Sequence, residues 1–466
     1  MARIYFTTRL FDVPLRTRGR KMAVAALVVI PTAVLTIQGA RQMTASMLGA
    51  SASSAAIRLG LAVQPGNPEL RHRLGLEDFY SAQNGSPAQG LALLRQAASL
   101  GADRAVYWAD VAAACEALSD FDCADAATRR ALMLQPMMPH LHWVAAGYYL
   151  SNNRPDAAES QLRQLLTMSA MTYAEPVFSL CLRHGLNPQT VTERIMPAAK
   201  PPALMLEYAY YLAAHGQFEP ASQVWKETVA NPSSFPFSIT TPYLDTLMGR
   251  RQYAQAWSAW EGLEKRGLVN PGNAANPGNL VFNGSFTTAP LNTGFDWICG
   301  QEAFVSLEFP GSDGRRGARG LQLVFTVSRN RDYEPIFQIV PVTPGRSYLL
   351  SADVRSTGIT SDSGPRLRVI DPLNPSALSV ASAGTIGTTP WRPVRITFYT
   401  GPMTHFIQLS VWRSPSRGFP SGIIGTFGID RVSLKLSPAP REAHPPSRQK
   451  ILAGTPVAPA AHSSRG

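Results

Sequence analysis

No catalytic signature stands out in this 466-residue chain. It contains no GxSxG elbow, no HExxH pair and no phosphate loop ending in Gly-Lys-Ser/Thr, so the commonest hydrolase, metalloprotease and nucleotide-binding classes have no foothold. Glycoside hydrolysis requires two carboxylates about 5–10 Å apart across a cleft. Glu302, Glu308, Asp332, Glu334 and Asp353 are available, but nothing in their context marks two of them as a pair. The Gly-rich GSDGRRGARG at 311–320 lacks the Lys-Ser/Thr and the helix of a phosphate loop, and reads as a solvated loop between strands. The chain is therefore expected not to be an enzyme; a cryptic glycan-active enzyme is the least favoured reading.

Cysteine is scarce. Four residues, Cys115, Cys123, Cys181 and Cys299, are too few for a disulfide scaffold, and no CxxC or Cys/His metal spacing occurs. Cys115 and Cys123 fall on neighbouring predicted helices, so two readings stand: a bridge in an oxidising compartment, or buried free thiols. His140 and His142 are two apart and would not share a helix face, which makes them poor metal ligands. Acidic residues are in deficit as well. There are 31 Asp and Glu against 43 Lys and Arg, a formal net charge of +12 carried mostly by arginine. The excess is uneven: about +5 in 1–21, about +5 in 279–436 and about +3 from Ser437 onward, with 22–278 near neutral. Such a balance permits nucleic acid, an anionic membrane or an acidic polymer as partner. No basic stripe interleaved with stacking aromatics and no zinc-finger pattern appears, so nucleic acid is not expected. An arginine-rich composition with a solvated basic face is the plainer explanation of the charge.

Only one long hydrophobic run exists. MAVAALVVIPTAVLTIQGA (22–40) carries no charge until Arg41 and follows Arg16, Arg18, Arg20 and Lys21. About 19 residues of helix just span a hydrocarbon core, and Pro31 is tolerable in a membrane helix. The basic flank should remain cytoplasmic, which places the bulk of the chain outside the inner membrane, in the periplasm. The reading adopted is an uncleaved, single-pass signal anchor. A cleaved signal peptide, with Gly39-Ala40 or the small residues at 49–52 as cleavage sites, and an ordinary core helix are the alternatives.

From about 55 to 265 the chain has helical periodicity and an internal repeat. Trp108, Val111, Ala112, Cys115, Phe121, Ala124, Thr128, Ala131 and Pro136 define a frame. The frame recurs 34 residues on at His142, Ala145, Ala146, Tyr149, Pro155, Ala158, Leu162 and Leu165. Further copies begin near Met205 and Tyr243, and a looser one lies in 68–97. Two short antiparallel helices need a small residue where they cross, and Ala124, Ala158, Ala221 and Ala256 fill that slot. One such pair cannot bury its apolar face alone, so pairs stack. The region resembles tetratricopeptide repeats, which implies a surface for a protein partner. The stretch 166–203 breaks the register, as a divergent unit or an irregular insertion. Aromatics here are expected in helix packing, with Trp143, Tyr148 and Tyr210 as candidates for a concave groove.

Residues 266–278 hold two Asn-Pro-Gly turns and read as a linker. Beyond them the period changes from 3.6 to 2. Strands are predicted near 280–287, 303–309, 320–327, 336–342, 346–355, 366–371, 393–400, 404–413 and 425–436. NLVFNGSFTT with FDW (279–297), FQIVPVTPGRSYLLSADVRS (337–356) and FGIDRVSLKL (427–436) occur in order. Together they resemble the galactose-binding-like jelly-roll carbohydrate-binding modules appended to xylanases and cellulases. The resemblance implies a sandwich over 279–436, glycan binding, and a structural calcium held by acids on both terminal strands. Asp430 stands in the late acidic position, but Thr287 replaces the early one. Sugar recognition needs an aromatic platform with planar polar neighbours. The candidates are Trp412, Trp391, Tyr333 and Tyr399, with Arg366, Arg368, Gln338 and Gln408 as polar partners; Trp297 is expected to be buried.

The expected architecture is multidomain: a basic cytoplasmic segment (1–21), a transmembrane helix (22–40), an all-α tetratricopeptide-like solenoid (55–265), a linker (266–278), an all-β jelly roll (279–436) and a disordered tail (437–466). The expected role is non-catalytic: the helices hold a protein partner while the sandwich holds a glycan, an acidic one by charge, in exopolysaccharide assembly or export. The alternative is a protein scaffold whose sandwich binds no sugar.

Overall fold

The computed structural model describes residues 17–50, 53–81, 85–270, 276–300, 304–309, 320–326, 329–419 and 421–437. The basic residues before 17, Glu302, most of the 311–320 loop and the tail beyond 437 lie outside the described residues. By its contacts the chain divides into two compact units, residues 1–204 and 205–466.

In the first unit, α1 (Arg18–Gly49) is 32 residues long and its apolar window is fully exposed. Pro31 lies inside it, and the Thr32 hydroxyl just beyond donates to the Val28 carbonyl at 2.7 Å. The helix does not stop at residue 40, where the apolar run ends. It continues until Ala45 and Gly49 are buried beside Ile57 and Leu70. A Cβ at Gly49 would stand 2.5 Å from the Leu70 side chain, so only glycine lets α1 approach this closely. Arg41 donates to the Val63 carbonyl at 2.7 Å, tying α1 to α2 (Ser54–Val63).

Helical hairpins follow: α3 (Pro68–Tyr80) with α4 (Pro87–Leu100), α5 (Ala105–Ala117) with α6 (Phe121–Leu134), and α7 (Pro139–Ser151) with α8 (Pro155–Arg183). Proline opens α3, α4, α7 and α8, where its missing N–H costs nothing, and Asn67, Ser86 and Asp120 cap helix starts with their side chains. Ala124 and Ala158 are completely buried at the crossings. The stretch 166–203 is explained by a break at Ser169 inside α8 (φ −149°). The rest of α8 is a first arm, and a short α9 (Pro188–Thr190) running into a π-helical turn (Val191–Ile195) stands in for the second. It is a divergent hairpin with a truncated second arm. Although α8 is long and apolar enough to cross a membrane, it buries Leu162, Leu165, Val177 and Phe178 and is a packing helix.

Cys115 and Cys123 are joined, α5 to α6, across the tight turn; Cys181 is buried and free. Closing this short loop restricts the unfolded chain by about 2–3 kcal/mol. Reduction should lower the unfolding free energy in urea by that amount, and unchanged stability under reductant would contradict it.

The second unit begins within α10 (Pro202–Ala214), followed by α11 (Phe218–Ala230), α12 (Thr241–Gly249) and α13 (Tyr253–Lys265). Trp225 stacks on Tyr243 at 4.8 Å, and Ala221 and Ala256 are again fully buried. Ten strands come next among the described residues: β1 (Ile298–Cys299), β2 (Val305–Glu308), β3 (Leu321–Phe325), β4 (Tyr333–Pro341), β5 (Ser347–Ile359), β6 (Arg366–Ile370), β7 (Ser379–Ala381), β8 (Gly387–Tyr399), β9 (Phe406–Arg413) and β10 (Gly425–Leu436). They form two five-stranded antiparallel sheets, ordered β1-β4-β9-β6-β7 and β2-β3-β10-β5-β8. Alternation along β5 and β9 turns Tyr348, Leu350, Val354, Ile407, Leu409 and Val411 into the shared core.

Residues 280–287 are not a strand. Asn283 and Phe286 have positive φ, which breaks an extended run. The segment still lies along β10: Leu280 N donates to Leu434 O, and Val432 N to Gly284 O at 2.7 Å. A Cβ at Gly284 would meet the Val432 carbonyl at 2.1 Å. Trp297 is buried against Phe286, rings 5.2 Å apart.

Within the second unit the last helix packs against the sandwich. Trp260 of α13, 0% exposed, meets Phe282 at 5.4 Å and Phe295 at 6.0 Å. Trp257 meets Phe295 and Tyr253 meets Phe406, while Thr293 donates to the Asp245 carboxylate at 2.5 Å. Gly294 has φ +60° and packs so closely on the Trp260 ring that a side chain would collide. Trp260→Ala should therefore cost about 3–5 kcal/mol, read by chemical denaturation of the chain. A loss under about 1 kcal/mol would mean that the helices and the sandwich are merely tethered.

Candidate functional site

One face of the β1-β4-β9-β6-β7 sheet looks into the core; the other carries the polar cluster. Leu409 and Val411 point inward, so Gln408, Ser410 and Trp412 point outward. Cross-strand register sets Arg366 beside Trp412 and Arg368 beside Ser410. The Arg368 guanidinium lies 4.5 Å from the Trp412 ring centre and that of Arg366 lies 5.5 Å from it, within cation–π range. Trp412 Nε1 donates to Asp332 Oδ1 at 2.9 Å. Glu334 gathers the rest: it pairs with Arg368 and accepts from Gln408 Nε2 at 2.7 Å and Ser410 Oγ at 2.5 Å. Arg366 donates to the Ser363 hydroxyl at 3.2 Å and has no carboxylate partner among the described residues.

Four of the eight proposed sugar contacts thus meet on one face: Trp412, Arg366, Arg368 and Gln408. The other four do not join them. Gln338 is 0% exposed and faces the core side of β4, because its amide replaces a strand partner: Nε2 donates to Phe282 O and Oε1 accepts from Phe282 N, both at 2.9 Å. Tyr333 is buried against Phe304 and Phe325, and burial pushes its hydroxyl well above the usual tyrosine range. Neither can reach a ligand. Trp391 and Tyr399 lie on β8, in the opposite sheet. Trp391 is covered by Arg355 at 5.2 Å, and Tyr399 is exposed.

Asp430 is buried on β10, opposite Asp353. Its carboxylate accepts from Arg431 N at 2.7 Å, and Arg431's guanidinium pairs with Asp353. Thr287 is exposed. Asp430 joins no cluster of three metal-ligating side chains among the described residues. A hard dication wants six to eight oxygens with several charges. Among the described residues Asp430 has one neighbouring carboxylate, Asp353, already paired with a guanidinium, which does not fit that demand.

No sequence pattern marks the residue beneath the cluster. Arg413, next to Trp412 but pointing the opposite way, is 0% exposed. It donates to Ser363 O at 2.9 Å, Arg331 O at 3.0 Å, Asn330 Oδ1 at 3.4 Å, Ser361 Oγ at 3.0 Å and Ser421 O at 2.7 Å. Desolvation lowers its pKa from the ordinary arginine value. Segments 330–332 and 361–363 and Ser421 are thereby gathered at the Trp412 end of the sheet. In the helical repeats, Trp143 is half-buried, 6.1 Å from Tyr173, and Tyr210 is half-buried too. Tyr148 is not free for a groove: it is buried and donates to Asp125 at 2.8 Å.

No protein-family model and no curated protein matches the chain. Among solved structures, one reported as "CBM4 structure and function" is 15% identical with a TM-score of 0.25, covering 34% of this chain and 99% of that one. "Crystal structure of MamA" is 14% identical with a TM-score of 0.26, covering 38% of this chain and 90% of the other. "Functional Characterization of Pseudomonas Aeruginosa pilF" is 19% identical with a TM-score of 0.24, covering 43% and 91%. Likenesses this distant bear on neither ligand nor partner.

Removing Arg413's five donated bonds strands three carbonyls, an amide oxygen and a hydroxyl, and each one left buried without a partner costs about 1–3 kcal/mol. Arg413→Met should therefore destabilise the chain by about 3 kcal/mol or more in urea unfolding. A loss under about 1 kcal/mol would show that the loops hold without it.

Proposed function

We propose that this chain is a non-catalytic, membrane-anchored envelope protein whose sandwich binds an anionic glycan on the outer face of the β4-β9-β6 sheet, while its helical repeats bind a protein partner. The observation that carries the glycan reading is the Arg366–Trp412–Arg368 stack. Aromatic and guanidinium planes are stacked, amide and hydroxyl groups stand next to them, and one guanidinium has no carboxylate partner among the described residues. Guanidinium is a planar, weakly hydrated donor suited to carboxylates. A uronate supplies the carboxylate that such guanidinium groups recognise.

Two features support the compartment. The exposed apolar helix with its basic flank suits a single-pass anchor with the bulk of the chain in the periplasm. The Cys115–Cys123 bridge suits an oxidising space. Because Gly39 and Ala40 lie inside a continuous helix whose later turns pack against α2, we favour retention of the anchor over cleavage there. Assembly, export or retention of an extracellular polysaccharide is the role that joins these parts.

A second reading, a scaffold that binds no sugar, is favoured by one observation: the Trp412 ring is already covered by guanidinium groups. Affinity electrophoresis of the detergent-solubilised chain against acidic and neutral polysaccharides separates the two. We expect retardation by an acidic polymer and about tenfold or greater weakening in Arg366→Ala, as the loss of a charged hydrogen bond implies. Absence of retardation by any polymer, with the fold intact by circular dichroism, would leave the scaffold reading.

A further inference from the structure

We infer that Phe419, on the loop between β9 and β10, is the ring-stacking contact of the sheet-face site, an inference that rests on the glycan reading above. A sugar needs one bare aromatic face, since its axial C–H groups are drawn to the negative face of the ring. The sheet does not supply it. Guanidinium groups cover Trp412, and Tyr333 is in the core. Phe419 is 100% exposed. A lone exposed apolar residue means little by itself, but the residues that lead into this one, Ser416 to Gly418, are fastened. Ser416 is buried and held from both sides: its N–H donates to Asn330 Oδ1 at 2.7 Å and its carbonyl accepts from Asn330 Nδ2 at 3.0 Å. Its hydroxyl bonds to Asp362 and accepts from Gly418 N at 3.0 Å. Gly418 packs directly against the Asp362 carboxylate, where a Cβ would fall within 2.8 Å. Arg413 fixes the far side through Ser421 O.

The same fastening places the loop beside the charged cluster. Asp362 adjoins Ser363, whose hydroxyl receives Arg366. Asn330 lies two residues before Asp332, the acceptor of Trp412 Nε1. Arg417, two residues from Phe419, is exposed and has no ion-pair partner among the described residues. The occupant that fits is an anionic oligosaccharide, one ring stacked on Phe419 and its carboxylate facing Arg366 and Arg417. A loop fixed before binding spares the cost of ordering it.

Isothermal titration of the full chain in detergent, with oligogalacturonate, oligoguluronate and cellohexaose as probes, tests this. Phe419→Ala should weaken binding of the charged oligomers about tenfold without moving the melting temperature. Phe419→Trp should retain affinity and enlarge the tryptophan fluorescence change on binding beyond that of the parent. If Phe419→Ala binds like the parent while Arg366→Ala is weakened, the stacking assignment falls and the glycan reading stands. If the folded parent binds none of the probes, both fall.

Discussion

A single buried charge sets the geometry of the candidate site. Arg413 has no exposed surface, and a guanidinium taken out of water is tolerated only when its donors are answered. Here the answers come from Asn330, Arg331, Ser361, Ser363 and Ser421. Because the acceptors belong to three separate segments, satisfying the charge forces those segments together. They carry Asp332, the partner of Trp412; Ser363, the partner of Arg366; and the loop that presents Phe419. Strand alternation then puts Trp412 on the opposite side of β9 from its neighbour, over the converged loops.

The second constraint is aromatic. Trp260, Trp257 and Tyr253 from the last helix pack on Phe282, Phe295 and Phe406 of the sandwich. Burial of a Trp–Phe cluster stabilises by several kcal/mol. The last hairpin and the two sheets therefore belong to one compact unit. Phe406 stands at the opposite end of β9 from Trp412, so the helices cover one end of that strand and leave the other open. A sugar-binding reading and a scaffold reading are both compatible with this joint; the charged end of β9 is where they differ.

Much of the fold was legible in the sequence because it follows from periodicity. The small-residue slot at Ala124, Ala158, Ala221 and Ala256 is fully buried each time, and eight of the nine predicted strands overlap strands of the two sheets. The first predicted strand failed at Asn283 and Phe286, whose positive φ alternation cannot reveal. In the site, Trp412, Arg366, Arg368 and Gln408 were legible because they alternate with core residues. Gln338 was misplaced because a buried amide standing in for a strand partner looks like any outward glutamine. Arg413 and Phe419 gave no signal: one is a charge at an inward position, the other an aromatic in a Gly/Pro/Ser loop.

The claim that rests most heavily on this geometry is recognition of negative charge on a glycan by the arginines around Trp412. It is tested most directly by the salt dependence of binding, measured by titrating the full chain with an acidic and a neutral oligosaccharide from about 0.05 M to about 0.5 M salt, over which screening shortens from beyond the pair distance to a few ångströms. The account predicts that the acidic oligomer binds and weakens steeply as salt rises, while the neutral one binds poorly throughout. Equal, salt-insensitive affinity for both would contradict it.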